Sequence, residues 1–184
     1  MKNFQALPKD LSSTTQVRFQ DCDPFGHLNN ARYIDYFMNA RTDHLASYYD
    51  FHIMEFGKQP VESWVVSKSQ ITYLSPAFLA EEVFIRTRLI RVTDKTLLVE
   101  GVMLDRAERR LKAVCWIEFT YVSLSTGKPV SHPDDLADFL SGVCFDETSA
   151  SLNFDERVKE LKAYYQRSKE IPEIINAATV SEQV

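Results

Sequence analysis

A long helical segment followed by a run of strand-like segments is the feature of this sequence that most restricts its fold. From Asn30 to about Tyr49, apolar residues recur at helical spacings over a face broad enough for a mostly buried helix. The segments after it are rich in β-branched and aromatic residues, which favour strands. A helix that precedes several long strands predicts an α+β layer in which the sheet curls around the helix. The strand segments are Glu62–Leu74, Val83–Val92, Thr96–Leu104 and Leu111–Val122.

Short polar connections indicate how these strands pair. Residues 93–95 have the composition of a hairpin turn and residues 105–110 that of a polar hairpin loop, whereas the Ser75-Pro76 pair breaks the first strand from the second. Strands joined by short turns are antiparallel neighbours. An alternating segment at residues 14–20 predicts one further strand before the helix.

The connection between that first strand and the helix is dense in polar groups. Residues 21–33 hold two carboxylates, an imidazole and two side-chain amides. Pro24 and Gly26 force a turn, and Asn29 or Asn30 is a good helix N-cap. The sequence therefore predicts a carboxylate held in a loop that faces a helix N-terminus, where unpaired N–H groups and a partial positive charge lie. Such a carboxylate can act on a carbonyl that the helix N–H groups polarise.

The same residues carry a family resemblance. The pattern Asp-x-Asp-x-x-Gly-His-x-Asn-Asn-x-x-Tyr, from Asp21 to Tyr33, is similar to that of the thioesterase branch of the hotdog-fold superfamily. That branch includes 4-hydroxybenzoyl-CoA thioesterase, bacterial acyl-CoA thioesterases and plant acyl-ACP thioesterases. The resemblance covers residues 14–140 and implies a hotdog fold, in which a curved antiparallel sheet wraps around one long central helix.

Asp23 is the candidate catalytic carboxylate. Hydrolysis of a thioester needs a carboxylate that activates water or attacks the carbonyl, together with donors for the oxyanion. The resemblance gives the carboxylate role to Asp23, the second Asp of Asp-Cys-Asp-Pro. Taken alone, an Asp before Pro-x-Gly is also common as the cap of an ordinary turn. Asp21 is expected to hold the loop together.

His27 and Asn30 complete the candidate catalytic group. His27 could donate a hydrogen bond to the substrate or to the Asp23 carboxylate, although a lone loop histidine is usually a satisfied polar residue. The backbone N–H of Asn30, at the predicted helix start, is the candidate oxyanion donor, by geometry and by resemblance. Plant acyl-ACP thioesterases have an Asp-x-Asn-x-His constellation, and Phe25 occupies the position of its Asn here. This departure argues against a plant-type role for His27.

Apolar and basic residues are the candidates for substrate binding. Phe25, Leu28 and Tyr33 are nearest the helix start and would line an acyl or aryl pocket. The expected substrate, an acyl-CoA or acyl-carrier-protein thioester, carries phosphate, and an acidic chain needs cations to hold it. A basic stripe on the central strands would supply these cations. The alternative interpretation of the stripe is an ordinary solvated face of the sheet. The stripe consists of Lys68, Arg86, Arg88, Arg91 and Lys95.

Composition excludes several function classes. A net charge of −5 and a pI near 5.4 argue against a nucleic-acid partner. No apolar run approaches the length needed to cross a bilayer, so no membrane partner is expected, and the N-terminal residues lack the apolar core of a secretory signal. Three scattered cysteines indicate reduced thiols and a cytoplasmic protein. Neither zinc-type His/Cys spacing nor a dinucleotide glycine pattern occurs, so no metal or redox cofactor is expected.

The C-terminal part of the chain lies outside the resemblance. We expect a hotdog thioesterase domain over residues 1–142, closed by a short helix at Pro133–Leu140, and a helical extension over residues 143–184. A second helical pattern runs from about Asn153 to Lys169 and is expected to pack on the outside of the domain or across a subunit interface. The last dozen residues are polar or small and are predicted to be disordered.

Assembly and activity follow from the fold and the resemblance together. A curled sheet leaves an open edge that must be protected or paired. Because the hotdog thioesterases that this chain resembles join two subunits into a continuous sheet, a homodimer or homotetramer is expected. The chain is predicted to be a thioesterase that uses Asp23 as general base or nucleophile. Two alternatives stay open, a hotdog hydratase or dehydratase and a non-catalytic acyl-thioester binding or assembly module.

Overall fold

The chain folds into a five-stranded antiparallel sheet with helices on both of its faces. The computed structural model describes residues 4–52, 61–145 and 153–170. The strands are β1 (Asp10–Gln16), β2 (Glu62–Tyr73), β3 (Glu82–Val92), β4 (Thr96–Asp105) and β5 (Leu111–Ser123), in the spatial order β1-β3-β4-β5-β2. The helices are α1 (Tyr33–Tyr49), α2 (Asp134–Val143) and α3 (Phe154–Glu170), and short 3-10 turns lie at Phe4–Ala6, Phe19–Asp21 and Asn30–Arg32.

The predicted α+β architecture, a curved antiparallel sheet around one long helix, is confirmed. Several boundaries differ from the prediction, most clearly those of β1, the start of α1 and the end of α2, which is Val143 rather than Leu140. β1 occupies residues 10–16 rather than 14–20, because Phe19–Asp21 closes into a 3-10 turn in which the Cys22 N–H donates to the Phe19 carbonyl. The α-helix begins at Tyr33, after a single 3-10 turn that starts at Asn30.

Small residues in the sheet allow α1 to pack closely on its concave face. Phe37 of α1 is 2% exposed and lies over Gly101 of β4. A Cβ atom at Gly101 would stand 2.5 Å from Cδ1 of Phe37, so the close approach requires glycine. Ala113 and Cys115 of β5 belong to the same buried cluster. The helix therefore lies in a trough of small side chains.

A bulge in β2 changes which of its residues face α1. Strict alternation predicts that Trp64 and Ile71 lie on opposite faces of the sheet. The register with β5 shifts between Val66 and Lys68, so Trp64 pairs with Tyr121 and Ile71 pairs with Cys115. These two β5 residues share a face, so Trp64 and Ile71 both face α1, and the predicted opposition is wrong.

The C-terminal helix α3 covers the outer face of the sheet. Its apolar residues pack against Leu98 and Val102 of β4 and Val114 and Trp116 of β5. Within the described ranges, no helix is long and apolar enough to cross a membrane. The predicted disordered tail lies outside the described residues. The apolar residues that α3 contributes are Phe154, Val158, Leu161 and Tyr165.

Candidate active site

The loop around Asp23 is a tight turn that the Asp23 side chain itself stabilises. The Asp23 N–H donates to the His27 carbonyl at 2.8 Å, and Gly26, with φ of +76°, closes the turn by donating to the Asp23 carbonyl. Oδ1 of Asp23 accepts hydrogen bonds from the N–H groups of Phe25 and His27, at 2.9 and 3.1 Å. Oδ2 makes no hydrogen bond within the described residues. The carboxylate thus caps its turn with one oxygen and keeps the other available.

Asp21 braces the same loop against α1. Its Oδ2 accepts from the hydroxyl of Tyr36 at 3.0 Å, and its Oδ1 lies 3.8 Å from Nε of Arg32. Its carbonyl accepts from the Asn29 N–H at 2.9 Å. With both carboxylate oxygens engaged, Asp21 has a positioning role.

The start of the helix leaves one backbone donor unused. Asn29 is the N-cap, because its Oδ1 accepts from the Ala31 N–H at 3.0 Å. The N–H of Asn30 makes no hydrogen bond within the part of the chain that the structure describes, whereas its carbonyl accepts from the Tyr73 hydroxyl at 2.8 Å. An unpaired N–H at a helix start is suited to an anionic oxygen.

The connection between β2 and β3 fastens the Asp23 loop to the sheet. The Leu28 N–H donates to the Ala77 carbonyl at 2.8 Å, and the Leu79 N–H donates to the Gly26 carbonyl at 3.0 Å. These two bonds lie on either side of His27. The loop is therefore held from both the helix side and the sheet side.

An ion pair between a buried lysine and a half-buried glutamate holds this connection in turn. Lys112 of β5 is 2% exposed, and its Nζ lies 2.7 Å from Oε1 of Glu81. The same Nζ donates to the Pro76 carbonyl at 2.8 Å, and Oε2 of Glu81 accepts from the Phe78 N–H at 2.8 Å. One lysine thus fixes both ends of the segment that supports the Asp23 loop.

His27 contributes backbone and ring contacts. Its ring packs edge-on against Phe78 with the ring centroids 5.0 Å apart. Among the described residues, the His27 ring makes no hydrogen bond to the Asp23 carboxylate, and the His27 backbone N–H donates to Oδ1 instead. A substrate contact from the ring stays a prediction.

Groups next to the carboxylates are held in their protonated forms. Burial, followed by the charges of Asp21 and Asp23, raises the pKa of the Cys22 thiol. Burial is also the largest cause of the raised pKa values of the Tyr33 and Tyr36 hydroxyls. The thiol and the two hydroxyls are therefore protonated at neutral pH and can act only as neutral groups. Of the two carboxylates in this loop, only Asp23 has an oxygen without a partner among the described residues.

The three apolar candidates lie in different environments. Leu28 and Tyr33 are each 2% exposed and belong to the cluster beneath α1. Phe25 is 83% exposed and stands on the surface of the single chain. The three side chains therefore do not form one wall within a single chain, and their contact with an acyl group stays a prediction.

The two basic candidates lie on the outer face of the sheet and already have partners. Nη2 of Arg88 donates to Oδ2 of Asp10 at 2.6 Å, and Nε of Arg86 lies 3.3 Å from Oδ1 of the same residue. Arg86 also pairs with Glu108. A phosphate group there would compete with Asp10, and phosphate binding by these two arginines stays a prediction.

Sequence reasoning missed the residues that assemble the site. Tyr36, Tyr73, Lys112 and Glu81 each hold the Asp23 loop or the helix start through contacts distant in sequence. A tyrosine at helical or strand spacing is typical of a core residue, and a lysine in a strand is typical of a solvated face. No local pattern distinguishes them.

Comparison with known proteins identifies the family. The family model described as the thioesterase-like superfamily matches residues 17–140. The chain belongs to that superfamily. Membership makes it a thioester hydrolase, a protein that cleaves a thioester into an acid and a thiol.

Individual relatives agree with this assignment. The long-chain acyl-CoA thioesterase FadM of Escherichia coli is 27% identical over 130 residues, which are 71% of this chain and 96% of that protein. The acyl-CoA thioesterase YbgC of Haemophilus influenzae is 26% identical over 130 residues, 71% of this chain and 93% of that protein.

The solved structures share the fold. The probable thioesterase YbaW of Escherichia coli has a TM-score of 0.63 at 24% identity, over 73% of this chain and 99% of that one. The 1,4-dihydroxy-2-naphthoyl-CoA thioesterase Slr0204 of Synechocystis has a TM-score of 0.66 at 12% identity, over 72% of this chain and 96% of that one. The predicted hotdog fold is thereby confirmed.

Proposed function

We propose that this chain hydrolyses acyl-CoA thioesters, with Asp23 as the acting carboxylate. Asp23 lies in a loop that is fastened to the start of α1. The Asn30 N–H at that start has no partner among the described residues, and this arrangement is the main support for the proposal. FadM and YbgC are both named as acyl-CoA thioesterases, which favours CoA over a carrier protein as the thiol.

In the general-base route, Asp23 activates a water molecule. Oδ2 takes a proton as the water oxygen attacks the thioester carbonyl carbon, and the Asn30 N–H donates to the carbonyl oxygen that becomes negative. The C–S bond then breaks, and the CoA thiolate leaves and takes up a proton. In the nucleophilic route, Oδ2 attacks the same carbon, displaces the thiolate and forms a mixed anhydride that water hydrolyses. Both routes require an ionised Asp23.

The assay that tests the activity is thiol release across a panel of short-chain, long-chain and aryl acyl-CoAs. Catalytic turnover of at least one of them supports the proposal. Binding without thiol release would instead favour a non-catalytic acyl-thioester module. Addition of water to an enoyl-CoA without thiol release would favour a hydratase.

The edge strand β2 supports a homodimer. It has 12 residues at the edge of the sheet, and its Val65 and Val66 are 44% and 50% exposed. Tyr73 at its end is bonded to Asn30, so the proposed oxyanion donor lies beside this edge. An exposed apolar edge strand invites pairing with another chain. Pairing of β2 with β2 of a second copy would extend the sheet and bring both sites to the interface.

Introduction of a lysine at Val66 is expected to separate the subunits. A charge on the edge strand opposes pairing, so Val66→Lys should sediment near the single-chain mass of 21.2 kDa and lose most thiol release. Thr14→Lys, on the exposed opposite edge strand β1, is the matched control and should stay dimeric. A fully active wild-type monomer, or a dimeric Val66→Lys, would contradict pairing through β2.

Truncation of Phe25 is expected to change the preferred acyl group. Phe25 is 83% exposed, so truncation of its side chain should lower the stability of the fold only slightly. If Phe25 forms a wall of the acyl pocket, it discriminates between acyl groups by about 1–3 kcal/mol for each methylene by which they differ. Relative kcat/KM values for Phe25→Ala across the acyl-CoA panel measure this. Phe19→Ala, 80% exposed, is the control and should leave the profile unchanged. A uniform fall with the same profile would rule out a pocket role for Phe25.

A further inference from the structure

The strand β5 carries an extra residue at Lys112. In the register of β4 with β5, Met103 pairs with Ala113 and Leu104 pairs with Leu111, so Lys112 is the inserted residue of a bulge. A bulge re-aims a side chain, and bulges are frequent next to active sites. The Lys112 side chain is 2% exposed, and its ammonium group contacts the connection between β2 and β3. The bulge therefore places a buried cation against that connection.

Both the backbone and the side chain of Lys112 hold the connection. Its carbonyl accepts from the N–H groups of Leu74 and Ser75, at 2.8 and 3.2 Å. Its Nζ donates to the Pro76 carbonyl at 2.8 Å and lies 2.7 Å from Oε1 of Glu81. Because an ammonium group has three donors, one side chain can serve both of these acceptors. Lys112 thus fixes the start and the end of the connection relative to β5.

The same connection holds both parts of the proposed site. On the side of the carboxylate loop, the Ala77 carbonyl accepts from the Leu28 N–H, and the Leu79 N–H donates to the Gly26 carbonyl. On the side of the helix, the Ala77 N–H donates to the hydroxyl of Tyr33, the first residue of α1, at 3.2 Å. The connection therefore bridges the carboxylate loop and the helix start, so its position affects the separation between them.

Stability alone does not account for an ion pair at this place. Removal of an ammonium group from water is costly, and replacement of a buried ion pair by uncharged residues of similar volume is often neutral or stabilising. A charged pair does fix directions, since each N–H of Lys112 must point at an acceptor. An apolar side chain of equal length would fill the space without that restriction. The pair of Lys112 and Glu81 is thus better suited to holding a geometry than to adding stability.

We propose that Lys112 is a positioning residue for catalysis, which sets the separation between Oδ2 of Asp23 and the Asn30 N–H through the connection between β2 and β3. The proposal rests on the thioester hydrolysis proposed above and adds to it a residue outside the reacting groups. A misplacement of about 1 Å in such a site can lower the rate about 10²-fold. Loss of Lys112 should therefore slow the chemical step without removing a substrate contact.

Replacement of Lys112 by methionine in the full chain tests this role. Methionine has a similar length and no charge, so the space stays filled while Pro76 and Glu81 lose the ammonium donor. The kcat for thiol release from the best acyl-CoA is expected to fall by about 10–100-fold. KM is expected to stay within about threefold of the wild-type value, because substrate contacts are kept. Lys112→Arg, which keeps charged donors for the carboxylate, should recover part of kcat.

Arg157→Ala is the control for a loss of stability. Arg157 pairs with Glu100 between α3 and the outer face of the sheet, whereas the Asp23 loop lies at the start of α1. Both Arg157→Ala and Lys112→Met leave a carboxylate without its cation. Assayed well below the unfolding midpoints of both variants, Arg157→Ala is expected to keep the wild-type kcat and Lys112→Met is not.

The double variant Lys112→Met with Glu81→Gln separates positioning from stability. It leaves neither charge of the pair, and the Gln amide oxygen can still accept from the Phe78 N–H. Its Tm should therefore return close to the wild-type value, while its kcat should stay as low as that of Lys112→Met. Recovery of both Tm and kcat would make the pair structural and overturn the inference. A double variant that recovers neither would show that the pair serves stability, with the same consequence.

The remaining outcomes distinguish this inference from the proposed function. A wild-type kcat in folded Lys112→Met, or a rise in KM as the main effect, would overturn the inference and leave thioester hydrolysis intact. Failure of the wild type to release thiol from any acyl-CoA would contradict the proposed function, and the inference with it.

Discussion

Replacement of Arg157 by alanine is expected to lower the free energy of unfolding by about 3–5 kcal/mol, the cost of leaving a buried charge without its partner. Glu100 of β4 is 1% exposed, and its two carboxylate oxygens accept from Nε and Nη2 of Arg157 at 2.8 and 3.0 Å. Trp116 also donates to Glu100, at 3.1 Å. Arg157 lies on α3, so the pair ties the C-terminal helix to the outer face of the sheet. Loss of Arg157 should weaken the attachment of α3 to the sheet and leave the Glu100 carboxylate buried without a charged partner.

Urea unfolding of the purified variants measures this effect. The double variant Glu100→Gln with Arg157→Met is the control, because it removes both charges and keeps an acceptor for Trp116. It should recover most of the stability lost in Arg157→Ala, since replacing both members of a buried pair is often nearly neutral. A midpoint for Arg157→Ala equal to that of the wild type would show that the Arg157–Glu100 pair contributes little to the stability of the folded state.

The secondary structure could be predicted where local periodicity is strong. The strands β3, β4 and β5 begin and end within one residue of their predicted bounds, because β-branched and aromatic runs are separated there by polar turns. The helix was predicted for the same kind of reason, since its apolar residues repeat at helical spacing. The order of the strands needed more than periodicity, because β2 pairs with β5 rather than with β3, which follows it in the chain.

The site could be predicted only in its local part. Residues close in sequence determine the turn at Pro24 and Gly26 and the helix N-cap at Asn29. Turn residues and N-cap residues are both recognisable in a sequence. The contacts that fasten this turn come from elsewhere, above all from the Lys112–Glu81 pair. The bulge in β2 arises from pairing with β5, so it has no signal in the strand itself.

Replacement of Asp23 by asparagine is expected to lower kcat by about 10²–10⁴. An amide oxygen can still accept the N–H groups of Phe25 and His27, so the turn should keep its shape. The amide can neither take a proton from water nor attack a carbonyl, so both proposed routes are blocked. Asp21→Asn is the matched control. It keeps an acceptor for Tyr36 but loses the charge beside Arg32, so a decrease of only a few-fold is expected.

The catalytic role of Asp23 is tested by steady-state thiol release from the best acyl-CoA, compared between wild type, Asp23→Asn and Asp21→Asn. Circular dichroism and sedimentation first establish that the three proteins share one fold and one assembly. Asp23→Asn is expected to lose nearly all turnover at saturating substrate, while Asp21→Asn is expected to retain most of it. A folded Asp23→Asn that releases thiol at close to the wild-type rate would contradict the assignment of Asp23.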